Sequence, residues 1–430
     1  MLIEKKKISI YFFSFLIIFF PILLISGPFL TDLVVFLISI YSFSIFIEDK
    51  RYFKNLFFIY LLAFSLYITF TSIINLNDTK IFSSIKNSIF YIRFTLFSIG
   101  VWYLFNKNPK IINKLFYILL SSYIFLMIDA SYQLLNGVNL LEFKIDPSQR
   151  VSSLFGDELI LGSYLARLFP ILIALRFLVH NKKQNLIIKL INVLFILYLG
   201  FVVFITGERT AVFIYIFSLF LLVLLVNGYF VEKLSFIILG ITVLLFLTTS
   251  NLESKKRIVD LTLSDTNFLS KNEEKFIFSP QYEEHFISSY RIFRDNPLFG
   301  VGVKKFRDIC KVKKYNISEQ TCSTHPHNTY MQLLSETGLI GFIFIFTIFT
   351  TIIFIFTKLI YFKFFKKKII LNNFQISLLI GIFISLWPLA PSGNFFNNWL
   401  SAIYFYPVGM LLWSLQNSEI IVKKIPNLSK

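Results

Sequence analysis

The sequence predicts an all-α polytopic membrane protein with about 12 transmembrane helices, and three observations predict it. Of the 430 residues, 56% are hydrophobic and 19% aromatic but only 15% charged, a balance outside the range of soluble globular domains. Apolar runs such as Ile8 to Leu30, Leu56 to Leu76 and Ser235 to Thr249 approach the roughly 20 residues a helix needs to cross about 30 Å of hydrocarbon. These runs are continuous, whereas the wall of a β-barrel alternates polar and apolar residues. One run could be a signal peptide, but about a dozen cannot.

Taken in order, the spans fall near 8–28, 30–48, 56–76, 87–105, 115–135, 160–180, 186–206, 210–228, 234–250, 329–360, 370–388 and 397–415. The formal net charge of +18 suits a nucleic-acid partner as well as a membrane, and the position of the cations decides between them. Lys5 to Lys7 precede the first span, Lys50, Arg51 and Lys54 follow the second, and Lys107, Lys110 and Lys114 follow the fourth. Arg176, Lys182 and Lys183 follow the sixth, Lys233 the eighth, and Lys363 with Lys366 to Lys368 the tenth. Every second connection is therefore basic, so the positive-inside rule places both termini and these loops in the cytoplasm. No nucleic acid is needed to explain the charge.

The alternate connections then face outward, and two are long: residues 136–159, and residues 251–328, which hold most of the polar chemistry. With no internal repeat and no Pro-rich or Ser-rich linker, the simplest partition is one membrane domain over 1–430 with an extracytoplasmic subdomain embedded in it. The only cysteines, Cys310 and Cys322, both fall in the longer loop. An oxidising compartment would let them pair, which stabilises by about 3 kcal/mol in the chain-entropy model and fixes the backbone before His325 and His327; the alternative is two free thiols.

Ionisable groups inside spans are costly and so mark candidate sites. Arg93, Asp129 and Arg167 all lie roughly 10 Å below the outer surface at 1.5 Å per residue. They are either functional, or an Arg93–Asp129 structural pair with Arg167 snorkelling. Thr206 to Thr210 (TGERT) form a tight polar turn between the seventh and eighth spans. Arg209 in this turn either grips a phosphate through its planar, bidentate donors or contacts lipid headgroups, and Arg150 in the first long outer loop has the same two readings.

The longer loop ends in Cys322-Ser-Thr-His-Pro-His-Asn-Thr-Tyr330, directly before the tenth span. Three of the four histidines, His285, His325 and His327, lie in this loop. A neutral imidazole there accepts a proton from a sugar hydroxyl. Zinc binding by His-x-His with the two cysteines is disfavoured, because the ligand spacing is irregular and exported cysteines prefer disulfides.

Here the chain resembles the O-antigen ligase and polymerase superfamily. His327-Asn328, nine residues, then Gly338-Leu-Ile-Gly341 looks like the ligases' His-Asn and Gly-x-x-Gly pattern. The Gly207 to Ala211 turn is similar to the family's Arg-containing turn, and Asn296 to Gly302 to its Pro-Leu-x-Gly-x-Gly segment. These motifs cover about the central half of the chain, from Arg150 to Gly341. The resemblance implies a GT-C-like ligase fold in the bacterial inner membrane with periplasmic long loops. It also implies inverting glycosyl transfer without metal or other cofactor, from undecaprenyl pyrophosphate to a hydroxyl of lipid A core, or to a second carrier-linked repeat if the enzyme is a polymerase. His327 would be the base, Arg209 and Arg150 would bind substrate, Asn328 would orient the acceptor or the loop backbone, and Arg291 or Arg294 would assist at the pyrophosphate. Many ligases carry an arginine some fifteen residues before the Pro-Leu segment, where this chain has Tyr282 with His285 nearby. Arg291 is the substitute chosen, its alternative being a solvated helix charge. The contrasting class is a polysaccharide or lipid transporter, which would more often show paired broken helices and midplane charges.

Overall fold

The computed structural model describes residues 2–75, 81–180, 185–229, 233, 240, 253–265, 278–366 and 368–417. Among these residues the chain forms helices and no strand, only an isolated bridge between Val138 and Lys144. The main helices are α1 (Leu2–Ile25), α2 (Pro28–Glu48), α3 (Leu56–Ile74), α4 (Ile81–Lys107), α5 (Ile111–Asn136), α6 (Leu161–Val179), α7 (Leu186–Ile205), α8 (Arg209–Leu225), α9 (Pro280–Asp295), α10 (Thr329–Tyr361), α11 (Asn373–Ser385) and α12 (Asn398–Gln416). Eight of the described helices, α1 to α7 and α10, are long and apolar enough to cross a membrane, and α8 and α11 are shorter apolar helices. The protein is thus an all-α, multi-pass membrane protein. The predicted span at 234–250 lies outside the described residues except for Gly240.

Helix starts are set by local chemistry. Asn55, Asn328 and Asn397 each precede a helix and accept hydrogen bonds from its first free N–H groups, as at Phe57 and Phe58 for α3. Asn372 and Gln375 form a reciprocal capping box on α11. In α4 and α6 72% of the apolar window is buried within the protein, against 22% in α7, so the former are inner helices and the latter faces lipid. Glycines let inner helices approach: a Cβ on Gly409 of α12 would press on Ser98 and Val101 of α4.

α10 is longer than a crossing needs, and Gly338, with φ 67°, kinks it. The piece after the kink, Leu339 to Tyr361, is roughly 23 residues and spans about 34 Å. Before the kink, Gln332, Ser335, Glu336 and Thr337 are all buried. The Pro-Leu segment docks against this kink: Val301 and Gly302 donate their N–H groups to the carbonyls of Ser335 and Glu336 (3.0 and 2.8 Å), and Leu339 donates to Pro297 (2.8 Å). Gly300 (φ 65°) and Gly338 are required there, since a Cβ on either would collide with the other segment's backbone. Glu336 accepts from the N–H groups of Lys304 (2.9 Å) and Phe306 (3.2 Å), and so holds the next stretch of the loop.

The same end of the bundle gathers the loops. Lys363, just past the C-terminus of α10, donates to the carbonyls of Leu224 and Val226 at the C-terminus of α8 (2.6 and 3.0 Å). The two helices therefore run parallel, and their N-termini, Arg209 and Thr329, share the opposite end. Residues 136–159 fold over that end, pinned by α5: Asp129 accepts from Leu140 N–H (2.8 Å) and from the Ser153 hydroxyl, and Gln133 accepts from the N–H groups of Ser152 and Ser153 (3.0 and 2.8 Å). The expected alternative pairing of Arg93 with Asp129 is corrected here. Arg93 instead binds Asp32 of α2 (2.6 and 3.0 Å), a carboxylate that its distance in sequence had hidden.

Candidate active site

Two polar clusters form at this end. The first surrounds the turn between α7 and α8. Gly207 has φ 66°, which turns the chain sharply. Arg150 donates to the carbonyls of Thr206 (3.2 Å) and Leu159 (3.1 Å), and Arg257 donates to that of Gly207 (3.0 Å). Arg209 pairs with Asp265 through Nη1 at 2.7 Å, with about a third of each side chain exposed (35% and 32%). Such a pair contributes about 0–1 kcal/mol and is readily exchanged for another anion. Glu208, half-buried beside Arg209, accepts from the N–H groups of Gly162 (2.7 Å) and Ser163 (3.2 Å), capping the start of α6 from a distant segment. Burial pushes its carboxyl up to about 7, opposed by Arg150 and those N–H groups. Burial also lowers the pKa of Arg150, and Glu208 partly restores it.

The second cluster is built by α9, the end of the long loop and the α11–α12 connection. His285, Ser288, Ser289 and Ile292 form the buried stripe of α9, and Ile292 packs in a small separate core with Phe306 and Cys310. Cys310 and Cys322 are paired as a disulfide, with Cα atoms 5.5 Å apart. The cysteines are therefore not thiolate ligands, and among the described residues no group of three or more His, Cys, Asp or Glu side chains is arranged to hold a metal ion. The imidazole of His327 lies against those of His325 and His285 (centroids 4.1 and 5.5 Å) and the ring of Tyr282 (5.1 Å). His285 Nδ1 is 2.8 Å from the Thr321 carbonyl, which makes it the protonated nitrogen and leaves the buried Nε2 a bare acceptor with no partner among the described residues. His325 Nε2 donates to the Ser392 carbonyl (3.2 Å). His327 Nε2 lies 3.1 Å from the Ser323 hydroxyl, and its carbonyl accepts from Ser392 N–H (2.8 Å).

His327 has φ 56°, an unusual backbone for a residue with a side chain, and the strap through Ser392 holds it there. Burial, with His285 alongside, drives its pKa down to about 4. His325 falls to about 3, by burial and then by His327. Both imidazoles are neutral at physiological pH. Arg307, exposed on the loop, is close enough to add to the depression at His325.

The structure thus brings His327 together with His285 and His325, and sets Arg150 with Arg257 on the turn that carries Arg209. Asn328 adjoins His327, but its carbonyl caps α10 at Tyr330 and Met331 while its amide donates to the Pro388 carbonyl (2.7 Å). Both ends of that side chain serve the backbone. Arg291 and Arg294 are exposed on α9, off the buried stripe that carries His285. Sequence reasoning missed Arg257 and Ser392, because only the fold brings them to the turn and the histidines, and it missed the role of Glu208 within the turn, because its partners lie at the distant start of α6. An apolar groove of about 460 Å³ between α1 and α5, lined by Ile22, Ile25, Ser122 and Leu154 among others, lies beside the loop that bears Arg150.

The fold and site define a multi-pass helical membrane protein with a cation-bound turn and a neutral histidine cluster at one end of its bundle. A family model described as O-antigen ligase matches residues 194–346, a segment that includes the turn, the Pro-Leu segment, the histidines and the Gly338 kink. Over that segment the chain is similar to the O-antigen ligase and polymerase superfamily, a match that supports a glycosyltransferase-like membrane enzyme. A search of curated proteins finds no match.

Proposed function

We propose that the protein is an O-antigen ligase-like glycosyltransferase of the bacterial inner membrane, with the loop-bearing end facing the periplasm. It transfers a glycan from undecaprenyl pyrophosphate to a hydroxyl of lipid A core. The observation that carries this reading is His327: a neutral, desolvated imidazole held at an unusual φ, with Nε2 within hydrogen-bonding reach of a hydroxyl. The acceptor oxygen attacks the anomeric carbon and His327 takes its proton. The bond from that carbon to the pyrophosphate oxygen breaks, with inversion and without a metal, and polyprenyl pyrophosphate leaves. Arg209, Arg150 and Arg257 meet its growing charge, which lowers the barrier by electrostatic stabilisation. Arrival of the anion also favours the imidazolium and brings the pKa of His327 back toward neutrality, where a general base works best. The apolar groove between α1 and α5 takes part of the polyprenyl chain. Arg291 is kept as a residue that meets the incoming substrate from solvent, and Asn328 as the cap that fixes His327.

Complementation of two bacterial hosts tests this, one lacking its ligase and one its polymerase, with surface polysaccharide read on a gel. Attachment to lipid A core restored by the wild type and lost with Arg209→Ala or His327→Ala is the expected result. Laddering without attachment would transfer the reading to a polymerase that joins lipid-linked repeats. Normal surface glycan in the His327→Ala variant would remove the assigned base.

A further inference from the structure

The geometry points to a phosphate-binding subsite inside the bundle, formed by Arg167 of α6 and the hydroxyl of Tyr404 of α12, which takes the lipid-proximal phosphate of the pyrophosphate carrier. This rests on the donor assigned above and goes deeper into the same site. Arg167 is 4% exposed, so it does not snorkel as one sequence reading had it. Its Nε and Nη1 have no hydrogen-bond partner among the described residues, and neither does the Tyr404 hydroxyl. The guanidinium carbon lies 6.0 Å from the Tyr404 ring. A guanidinium cannot shed its charge, and a buried, unpaired cation is one of the costliest features a fold can hold. An anion from outside the chain relieves that cost.

Position says which anion. Along α6, Arg150 sits at Leu159, Glu208 caps Gly162 and Ser163, and Arg167 follows about 9 Å from the helix start. It lies inward of the arginine-bound turn, at a depth in the bundle that an anion carried on an apolar chain is suited to reach. α1 is tied to α6 by Tyr164 donating to the Pro21 carbonyl (2.9 Å) and to α12 by Trp399 donating to that of Leu24 (2.9 Å). Tyr123 of α5 donates to the Leu165 carbonyl (2.6 Å), so Ser121 and Ser122 of the apolar groove sit near the height of Arg167, with Ile22 and Ile25 outward of it. The two phosphates of the carrier are read in order of depth: the glycan-side phosphate by Arg209 and Arg150 at the turn, the lipid-side phosphate by Arg167 and Tyr404.

The test uses the full-length protein in nanodiscs and farnesyl pyrophosphate as probe, with inorganic pyrophosphate as comparison, reading Kd and ligand-induced thermal stabilisation. Arg167→Met is expected to weaken farnesyl pyrophosphate about 10- to 100-fold, the worth of charge-assisted hydrogen bonds, while its ligand-free Tm stays level or rises because an unpaired buried charge is gone. If Arg167→Met does not fold, Arg167→Lys, which keeps the charge and loses the fork, carries the same expectation at smaller size, and Tyr404→Phe adds a few-fold loss. An equal loss for inorganic pyrophosphate overturns the lipid assignment. Unchanged affinity for farnesyl pyrophosphate in a folded Arg167→Met variant, with Arg209→Ala still impaired, overturns this subsite and leaves the transferase reading standing. A wild type that binds no farnesyl pyrophosphate overturns both.

Discussion

At the residue scale, the histidines make the protein's response to acid readable. His325, His327 and His285 all have pKa values lowered by burial, the first two to about 3 and about 4 from an ordinary 6.5. The unfolded chain binds protons near 6.5 while the native state resists them. Between pH 6.5 and about 4 the unfolded state therefore holds more protons, and native stability falls as pH falls through that window. Tm followed from pH 7.5 to 4.5 is expected to drop more steeply in the wild type than in His325→Gln, and identical slopes would contradict the assignment. His327 was marked in the sequence as a candidate because His-Asn, a nine-residue gap and two glycines form a spaced pattern. The environment that keeps it neutral was not legible, since Ser392 and His285 reach it from segments far away in sequence. Asn328 shows the same division: its place was legible, and its commitment to the α10 cap and to Pro388 was not.

At the element scale, the two glycine-bearing motifs turn out to be one joint. Gly300 and Gly338 each have positive φ, and each faces the other segment's backbone. Gly338→Ala adds a side chain at a left-handed position and a steric clash, so it should destabilise by about 2 kcal/mol or more, measured as a lowered Tm in detergent. The double variant with Gly300→Ala should fall short of the sum, because both changes break the same contact. The disulfide is the second device at this scale. Cys310→Ser should cost up to about 3 kcal/mol and loosen the segment that carries His325 and His327. Accelerated proteolysis between Lys311 and Thr324 would report it, and an unchanged digestion pattern would show that the loop core holds without the bond. Asp129 was expected to be a partner of Arg93 or a functional group; instead it pins the loop that carries Arg150, and Asp129→Asn should weaken donor binding without touching the histidines.

For the whole molecule, the alternating basic connections predict that both termini share one side and that residues 251–328 lie on the other. Alkaline-phosphatase and β-galactosidase fusions should give opposite activities when joined after Lys183 and after Lys313. Phosphatase activity at the first junction and none at the second would invert the topology and move the site to the cytoplasmic face. By itself the sequence determined the helical, membrane-crossing class and most of the span positions, because hydrocarbon admits only backbone that satisfies its own hydrogen bonds and the apolar runs record that demand directly. It also marked Arg209 and His327, whose neighbours form short local patterns. What only the tertiary structure decided is partnership: Arg93 with Asp32, Glu208 with the start of α6, Arg257 with Gly207, and Arg167 against the Tyr404 ring with Nε and Nη1 free of hydrogen bonds among the described residues. Charges in a low-dielectric interior are settled by whichever group packing brings within a few ångströms, and that proximity is a property of the folded bundle rather than of order along the chain.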